Sequence, residues 1–232
     1  MPAMCGRFVQ AQPASSYAAY FGVAIVQSES LHPSYNVAPT DPVYAVADHD
    51  GSRRLGSFRW GLIPWFARDA SGAARAINAR METVADKSAF KASLARRRCL
   101  IPADGFYEWE RVAAGKVPHY IHGAETEPLA LAGLWASWRH PDSGERLATC
   151  TILTGQPSGV VAPLHHRMPV MLGKEAWDAW LDPDARDPAA ALSLLEAARP
   201  PRLVEHPVSS LVNSVRNNLA DLIVPLDTAP SR

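Results

Sequence analysis

The chain has 232 residues, 47% of them hydrophobic, with 23 basic and 23 acidic side chains and no net charge. That length allows one large core or two small ones, and the charge balance excludes a globally basic nucleic-acid binder. No run of about 18 apolar residues is present, which excludes a transmembrane helix, and the N-terminus lacks the basic start and apolar stretch of a secretory signal. In chain order, residues 14–21 read as a short helix, and 43–47 and 55–62 as strands. Pro64-Trp65-Phe66 begins a loop whose flexible tip is Asp69-Ala70-Ser71-Gly72. Residues 86–97 carry Phe90 and Leu94 at i, i+4 among good helix formers and read as a helix. Residues 98–102, 106–111, 119–122, 129–138 and 147–153 are rich in aromatic and aliphatic side chains between turn residues, and read as strands. Two more helices, 174–181 and 188–198, precede a last strand at 203–208.

Strands outnumber helices and come in runs, which predicts an α+β fold: a single compact domain with a curved, antiparallel, barrel-like sheet and peripheral helices. No linker divides the chain. The expected layout is a leader at 1–4, a domain at 5–227 and a frayed tail at 228–232.

Charge is not evenly spread. Residues 51–100 hold 11 Lys/Arg against 3 Asp/Glu, the pattern of a basic groove on a balanced protein. For Arg96-Arg97-Arg98 alone, a solvated helix face explains as much. The three cysteines, Cys5, Cys99 and Cys150, have neither the number nor the spacing of a disulfide framework or a zinc site. Cys99 and Cys150 sit in apolar runs and read as inert core residues. A free, reactive Cys5 fits a reducing cytoplasm.

Met4-Cys5-Gly6-Arg7-Phe8 holds the chemistry. A cysteine behind a removable methionine becomes an N-terminal residue with a thiol and an α-amine on adjacent carbons, titrating near ~8.5 and ~8. The pair can condense with an aldehyde to an imine and close a thiazolidine ring, which an internal cysteine cannot do. The alternative is a small buried hydrophobe in a first strand. Strand alternation puts Phe106 and Glu108 on one face and Tyr107 and Trp109 on the other. A carboxylate so flanked is partly desolvated and suited to acid–base work, or it is an ordinary surface glutamate. His165 and His166 point apart in an extended segment, so they are not a metal pair; either could shuttle protons near neutral pH. Asn78 and Arg80 share a face two residues apart, an amide for positioning and a guanidinium for phosphate. Asn36 and Pro39 fall in a turn.

Five segments stand in order: Met4-Cys5-Gly6-Arg7-Phe8, Tyr35-Asn36-Val37-Ala38-Pro39, Ile77-Asn78-Ala79-Arg80-Met81-Glu82-Thr83, Pro102-Ala103-Asp104-Gly105-Phe106-Tyr107-Glu108-Trp109 and His165-His166-Arg167-Met168-Pro169. This set resembles the SRAP family, the SOS-response-associated peptidase domain, over nearly the whole chain. The resemblance implies Cys5, Asn78, Glu108 and His165 as catalytic residues, with His166 at the variable position of His-x-Arg-x-Pro. It implies DNA contacts at Arg7, Asn36 and Arg80, and a base-unstacking wedge from Pro39, Trp65 and Phe66; Thr154, eleven residues before His165, is a further candidate for a polar contact with the DNA at the site. It also implies a monomer without metal or cofactor that finds abasic sites in single-stranded DNA and binds them covalently as a thiazolidine. The alternatives are a cysteine peptidase acting through Cys5, or a non-catalytic reader of single-stranded DNA. The family has its cysteine at position two, whereas Met1-Pro2-Ala3 precede Met4 here. The expected start of the reactive protein is therefore Met4, or Cys5 is exposed by autolysis.

Overall fold

The computed structural model describes residues 6–27 and 30–226. The chain enters through β1 (Phe8–Gln10), α1 (Ala14–Phe21) and two short strands, β2 (Ile25–Val26) and β3 (Ser34–Val37). β4 (Pro42–His49) and β5 (Ser52–Trp60) then form a hairpin across Asp50-Gly51. Both loop residues have positive φ, 56° and 74°. That is the geometry of a two-residue turn whose twist matches its strands, and Asp-Gly is favoured there. After β6 (Asn78–Arg80) and α2 (Ser88–Arg96) come β7 (Arg98–Ala103), β8 (Gly105–Val112), β9 (Gly115–Gly123), β10 (Leu129–Arg139) and β11 (Arg146–Gly155). The chain ends with β12 (Met168–Pro169), α3 (Trp177–Leu181), α4 (Pro188–Ala197), β13 (Leu203–Pro207) and a 3-10-rich segment that runs to residue 226.

The larger sheet runs β12-β11-β10-β7-β4-β5-β2, and β11 also pairs with β5, so five of its strands close a barrel. In a closed ring successive side chains must point alternately in and out. Val43, Ala45, Cys99, Ile101, Leu131, Cys150 and Ile152 point in and pack with Trp60. Tyr44, Val46, Leu100, Ala132, Leu134 and Leu153 point out, where Tyr17, Phe21, Phe90, Leu94, Trp177, Trp180 and Leu195 from the helices cover them. Gly133 sits where the wall is tightest: a Cβ there would lie 2.9 Å from Ile101 Cδ1 and 3.0 Å from Cys99 Sγ.

The second sheet, β13-β9-β8-β1-β3, lays Phe8, Phe106 and Ile121 onto the barrel's interior cluster. Buried Gln10 ties the sheets together: its amide donates to the carbonyls of Tyr44 and Pro102 and accepts from Tyr44 N. At the corner between β7 and β8, Asp104 accepts from Ala11 N, Gln12 Nε2 and the Tyr17 hydroxyl.

The α+β, barrel-like architecture expected from the strand runs is the one observed. Its details differ. The β11–β5, β11–β6 and β2–β5 pairings are parallel. Asn36 lies within β3 and not in a turn; the turn follows at Pro39-Thr40, where Thr40 has a φ of 77°. Residues 174–176 form a 3-10 turn ahead of α3. The basic triplet is not one solvated face either. Arg98 is buried, stacks 5.7 Å over Trp180, and donates to the carbonyls of Leu94, Ala95, Trp180 and Asp182. One guanidinium thereby satisfies carbonyls at the ends of α2 and α3 that no helix bond can reach.

Candidate active site

β8 turns Phe106 and Glu108 toward the interior cluster and Tyr107 and Trp109 toward the C-terminal segment. The outward pair is fixed by its polar tips: Tyr107 donates to Tyr35 O at 2.7 Å and Trp109 Nε1 to Asn213 Oδ1 at 2.7 Å. Glu108 is consequently held inside, only 2% exposed.

His165 reaches Glu108 from a loop. The 3-10 turn Gly159–Val161 is anchored by buried Val161, and His165 N donates to Val161 O at 3.0 Å. His165 Nδ1 lies 3.7 Å from Glu108 Oε1 and 3.1 Å from Arg167 O. The first distance is an electrostatic contact and is too long for a hydrogen bond. Arg167 offers Nδ1 both its carbonyl, at 3.1 Å, and its N–H, at 3.2 Å, so either neutral tautomer of the ring finds a partner there and keeps its other nitrogen as the base. Burial pushes the His165 pKa down, the bond to Arg167 O opposes that, and the charges of His166, Arg111 and Arg167 push it further down. The two histidine rings do not point apart as an extended segment would place them. The chain bends at His166, and the ring centroids lie 4.3 Å apart.

Arg167 locks this loop in place. Its guanidinium forms a two-pronged pair with Glu82, at 2.5 and 2.7 Å, and donates to Thr154 O at 2.7 Å. The hydrogen bonds from Arg167 hold the Glu82 carboxyl below its usual range. Glu82 follows β6, which runs parallel to β11 with Asn78 beside Ile152 and Arg80 beside Thr154. Ala79 packs outward, so half-buried Asn78 lies on the inward side with Ile152, toward the same cluster as Phe106. Arg80 is exposed, whereas Thr154 is fully buried with its hydroxyl 3.4 Å from Ala79 O.

Arg7 and Asn36 bond to each other and to the C-terminal segment. Arg7 donates to Asn36 Oδ1 at 2.7 Å, to Val212 O at 2.9 Å and to Asn213 O at 3.4 Å. The Asn36 amide, 3% exposed, donates to the carbonyls of Val212, Ser214 and Asn217. Together they strap the C-terminal segment across β1 and β3. Pro39 is half-buried, while Trp65 and Phe66 stand 66% and 50% exposed, edge to face at 5.7 Å. Their loop is more tightly built than its small residues suggest. Leu62 N donates to Ala76 O, Ser71 N to Asp69 Oδ1, and a Cβ on Gly61 would meet Ala73 O at 2.5 Å.

Cys5 lies outside the described residues. The carbonyl of Arg7, two residues on, accepts from Tyr107 N at 3.1 Å, beside Glu108. Cys99 and Cys150 are buried and free, and burial raises both thiols. Among the described residues, no group of three or more His, Cys, Asp or Glu is placed to hold a metal ion, and no helix is long and apolar enough to cross a membrane. Sequence reasoning missed Glu82, the partner of Arg167, although it stands two residues after Arg80 in a segment already singled out. It also missed His119, which faces Glu108 across the β8–β9 pair.

The family model described as SOS response associated peptidase (SRAP) matches residues 4–215. The chain is 40% identical over 222 residues to abasic site processing protein YoqW of Bacillus subtilis, covering 95% of this chain and 99% of that one. It is 38% identical to abasic site processing protein HMCES of Gallus gallus, over 84% of this chain and 67% of that one. Among solved structures, a Bacteroides thetaiotaomicron protein superposes with a TM-score of 0.82 at 25% identity, covering 96% of this chain and all of the other. A phage-related protein of Bordetella bronchiseptica gives 0.70 at 30% identity, over 89% and 95% of the two chains.

Proposed function

The chain belongs to the SRAP family, and from that premise we propose that it captures abasic sites in single-stranded DNA as a covalent thiazolidine on Cys5. The observation that carries this reading is the buried Glu108 carboxylate, 3.7 Å from His165, next to the strand that begins just after Cys5. The relatives named as abasic site processing proteins support the lesion as the substrate.

The open-chain sugar of an abasic site carries an aldehyde at C1′. The Cys5 amine attacks it to give a carbinolamine. Loss of water leaves an imine, and the thiol adds to the same carbon to close the ring. A buried carboxylate beside an imidazole can lend and recover the protons these steps need. His165, kept neutral by its burial, is available as a base, and inward-facing Asn78 is an amide for holding the nucleophile. Exposed Arg80 takes a phosphate, and the open faces of Trp65 and Phe66 take unstacked bases. Before the ring closes, the imine can β-eliminate, which gives a weak lyase activity. The peptidase of the family description corresponds to removal of the residues ahead of Cys5.

Intact mass measurement tests the proposal. Protein beginning at Cys5, mixed with abasic single-stranded DNA, should gain the mass of the DNA less one water and keep it through heat and denaturant. Protein retaining Pro2-Ala3-Met4, and Cys5→Ser, should bind the DNA and give no stable adduct. Glu108→Gln should bind equally and crosslink about 10²–10⁴-fold more slowly. Equal crosslinking by the blocked and processed forms would overturn the mechanism.

A further inference from the structure

The hairpin that carries Glu108 ends in two cations. β8 and β9 pair antiparallel around the turn at Ala113-Ala114, and Arg111 stands directly opposite Lys116. Side chains so opposed share a face, with Cβ atoms about 4.5–5.5 Å apart, and like charges placed there repel. Both residues are exposed, and among the described residues neither has an ion pair or a side-chain hydrogen bond. The hairpin's own acid does not neutralise them. Alternation turns Glu110 to the other face, where its Oε2 lies 3.4 Å from His119 Nε2. Arg53, Lys174 and Arg186, by contrast, each find a carboxylate, at Asp178, Glu127 and Asp184.

The pair lies close to the reacting groups. Arg111 is three residues beyond Glu108 on β8, about 10 Å along an extended strand. Its charge is one of those that reach the His165 ring, 3.7 Å from Glu108. Arg80, on β6 beside Thr154, supplies one exposed cation to the site, and the hairpin end supplies two more from a separate strand. An abasic sugar within a DNA strand carries a phosphate on either side, so one held at Arg80 leaves another to be met. A phosphate between Arg111 and Lys116 would replace one repulsion with two attractions, the guanidinium gripping as a fork and the ammonium as a point charge. Cations also face each other at Arg139 and Arg146 on the β10–β11 hairpin, both exposed. There Arg146 is eight residues before Thr154 on β11, about 26 Å along the strand, which sets that second pair well away from the site.

We propose that Arg111 and Lys116 together bind a backbone phosphate of the DNA next to the abasic site. The inference rests on the reading above that the chain captures abasic DNA. Its test uses single-stranded DNA carrying a tetrahydrofuran abasic analogue, which has no aldehyde and so binds reversibly. Wild type, the double variant Arg111→Gln/Lys116→Gln and the double variant Arg139→Gln/Arg146→Gln are compared across a salt series. The first double variant should lose about tenfold in affinity at low salt, and its slope of log affinity against log salt should flatten by about 0.7, as for one lost single-strand phosphate. The second removes the same charge far from the site and should stay within about twofold of wild type, since distant charges are screened. Lys116→Glu sets opposite charges across the hairpin, so it should leave Tm unchanged or raised while losing more affinity than Lys116→Gln, which unfolding would not produce. Without DNA, Arg111→Gln should raise the pH at which the His165 ring takes up its proton, read by NMR, because a positive charge beside it is gone. The series is repeated with a duplex beginning next to the analogue. Loss on both DNAs assigns the phosphate to the lesion strand, and loss on the duplex-flanked DNA alone assigns it to the complementary strand. Equal losses in the two double variants, an unchanged slope on both DNAs, or an unmoved His165 titration overturns the inference. Wild type that does not bind the analogue overturns the parent reading and this one together.

Discussion

Asn36 offers a sharp separation between a DNA contact and a structural pin. Its amide nitrogen donates to three carbonyls of the C-terminal segment and its oxygen accepts from Arg7. Asn36→Ala removes all four bonds. Val212 O keeps its bond from Arg7, and Ser214 O sits on an exposed residue where water can replace the amide. Those losses fall at the low end of the ~0.5–1.5 kcal/mol that a buried neutral bond contributes. The Arg7 bond is charge-assisted but half-exposed, so it is discounted toward the same range. The net cost is about 3 kcal/mol. At ~2–4 °C per kcal/mol for a chain of this size, Tm should fall by about 6–12 °C.

The assay pairs thermal unfolding with binding of undamaged single-stranded DNA well below the transition. Amide exchange across residues 209–226 adds the local readout, because releasing the strap should expose its backbone before the barrel opens. The expected result is a large loss of stability, faster exchange in that segment and DNA affinity within about threefold of wild type. A variant with unchanged Tm and exchange, but tenfold or greater loss of affinity (about 1.4 kcal/mol), would show that Asn36 contacts DNA and that its bonds to the strap contribute little.

Exposed Arg80 should behave in the opposite way: Arg80→Ala leaves Tm unchanged and weakens all single-stranded sequences alike, with the slope of log affinity against log salt flattened by about 0.7 per lost phosphate contact. An unchanged slope removes Arg80 from the DNA path. His165, whose pKa is held below its ordinary 6.5 chiefly by burial, makes stability depend on pH. Below that value the unfolded chain takes up a proton that the native site refuses, so its contribution is full above pH 6.5 and is lost as the pH falls through the native value. Between about pH 7.5 and about pH 5.5, the stability from urea unfolding should fall more for wild type than for His165→Gln, and equal losses refute the assignment.

What could be read from the sequence was whatever local chemistry decides. Strand runs predicted the barrel, and alternation placed Glu108 with Phe106 on one face before any pairing was known, without saying that this face is the inward one. The Asp50-Gly51 hairpin was equally legible in principle, since its residue types are those the turn demands. What could not be read was the consequence of long-range pairing. Nothing local to Arg98 says that it will end two helices 80 residues apart in the chain, so it counted as one more charge in a basic block. The exposed basic surface is correspondingly thinner than 11 Lys/Arg suggest, with Arg98 buried and Arg53 drawn to Phe21 O and Asp178.

The same limit governs the site. Asn36 and Arg7 stand in segments that mark the family, and a motif does not distinguish a residue that touches DNA from one that shapes the surface DNA would meet. Only the return of residues 212–217 across β3 shows where their donors go. His119 was invisible for a related reason. It is eleven residues from Glu108, in no motif, and becomes its neighbour only once the turn at Ala113-Ala114 sets the β8–β9 register. A shift of that register by one residue would send His119 to the far face with Tyr107 and bring Pro118 or Tyr120 opposite Glu108 in its place. The short turn between β8 and β9 thus places a buried acid beside a buried base, and it does so through residues that carry no chemistry themselves.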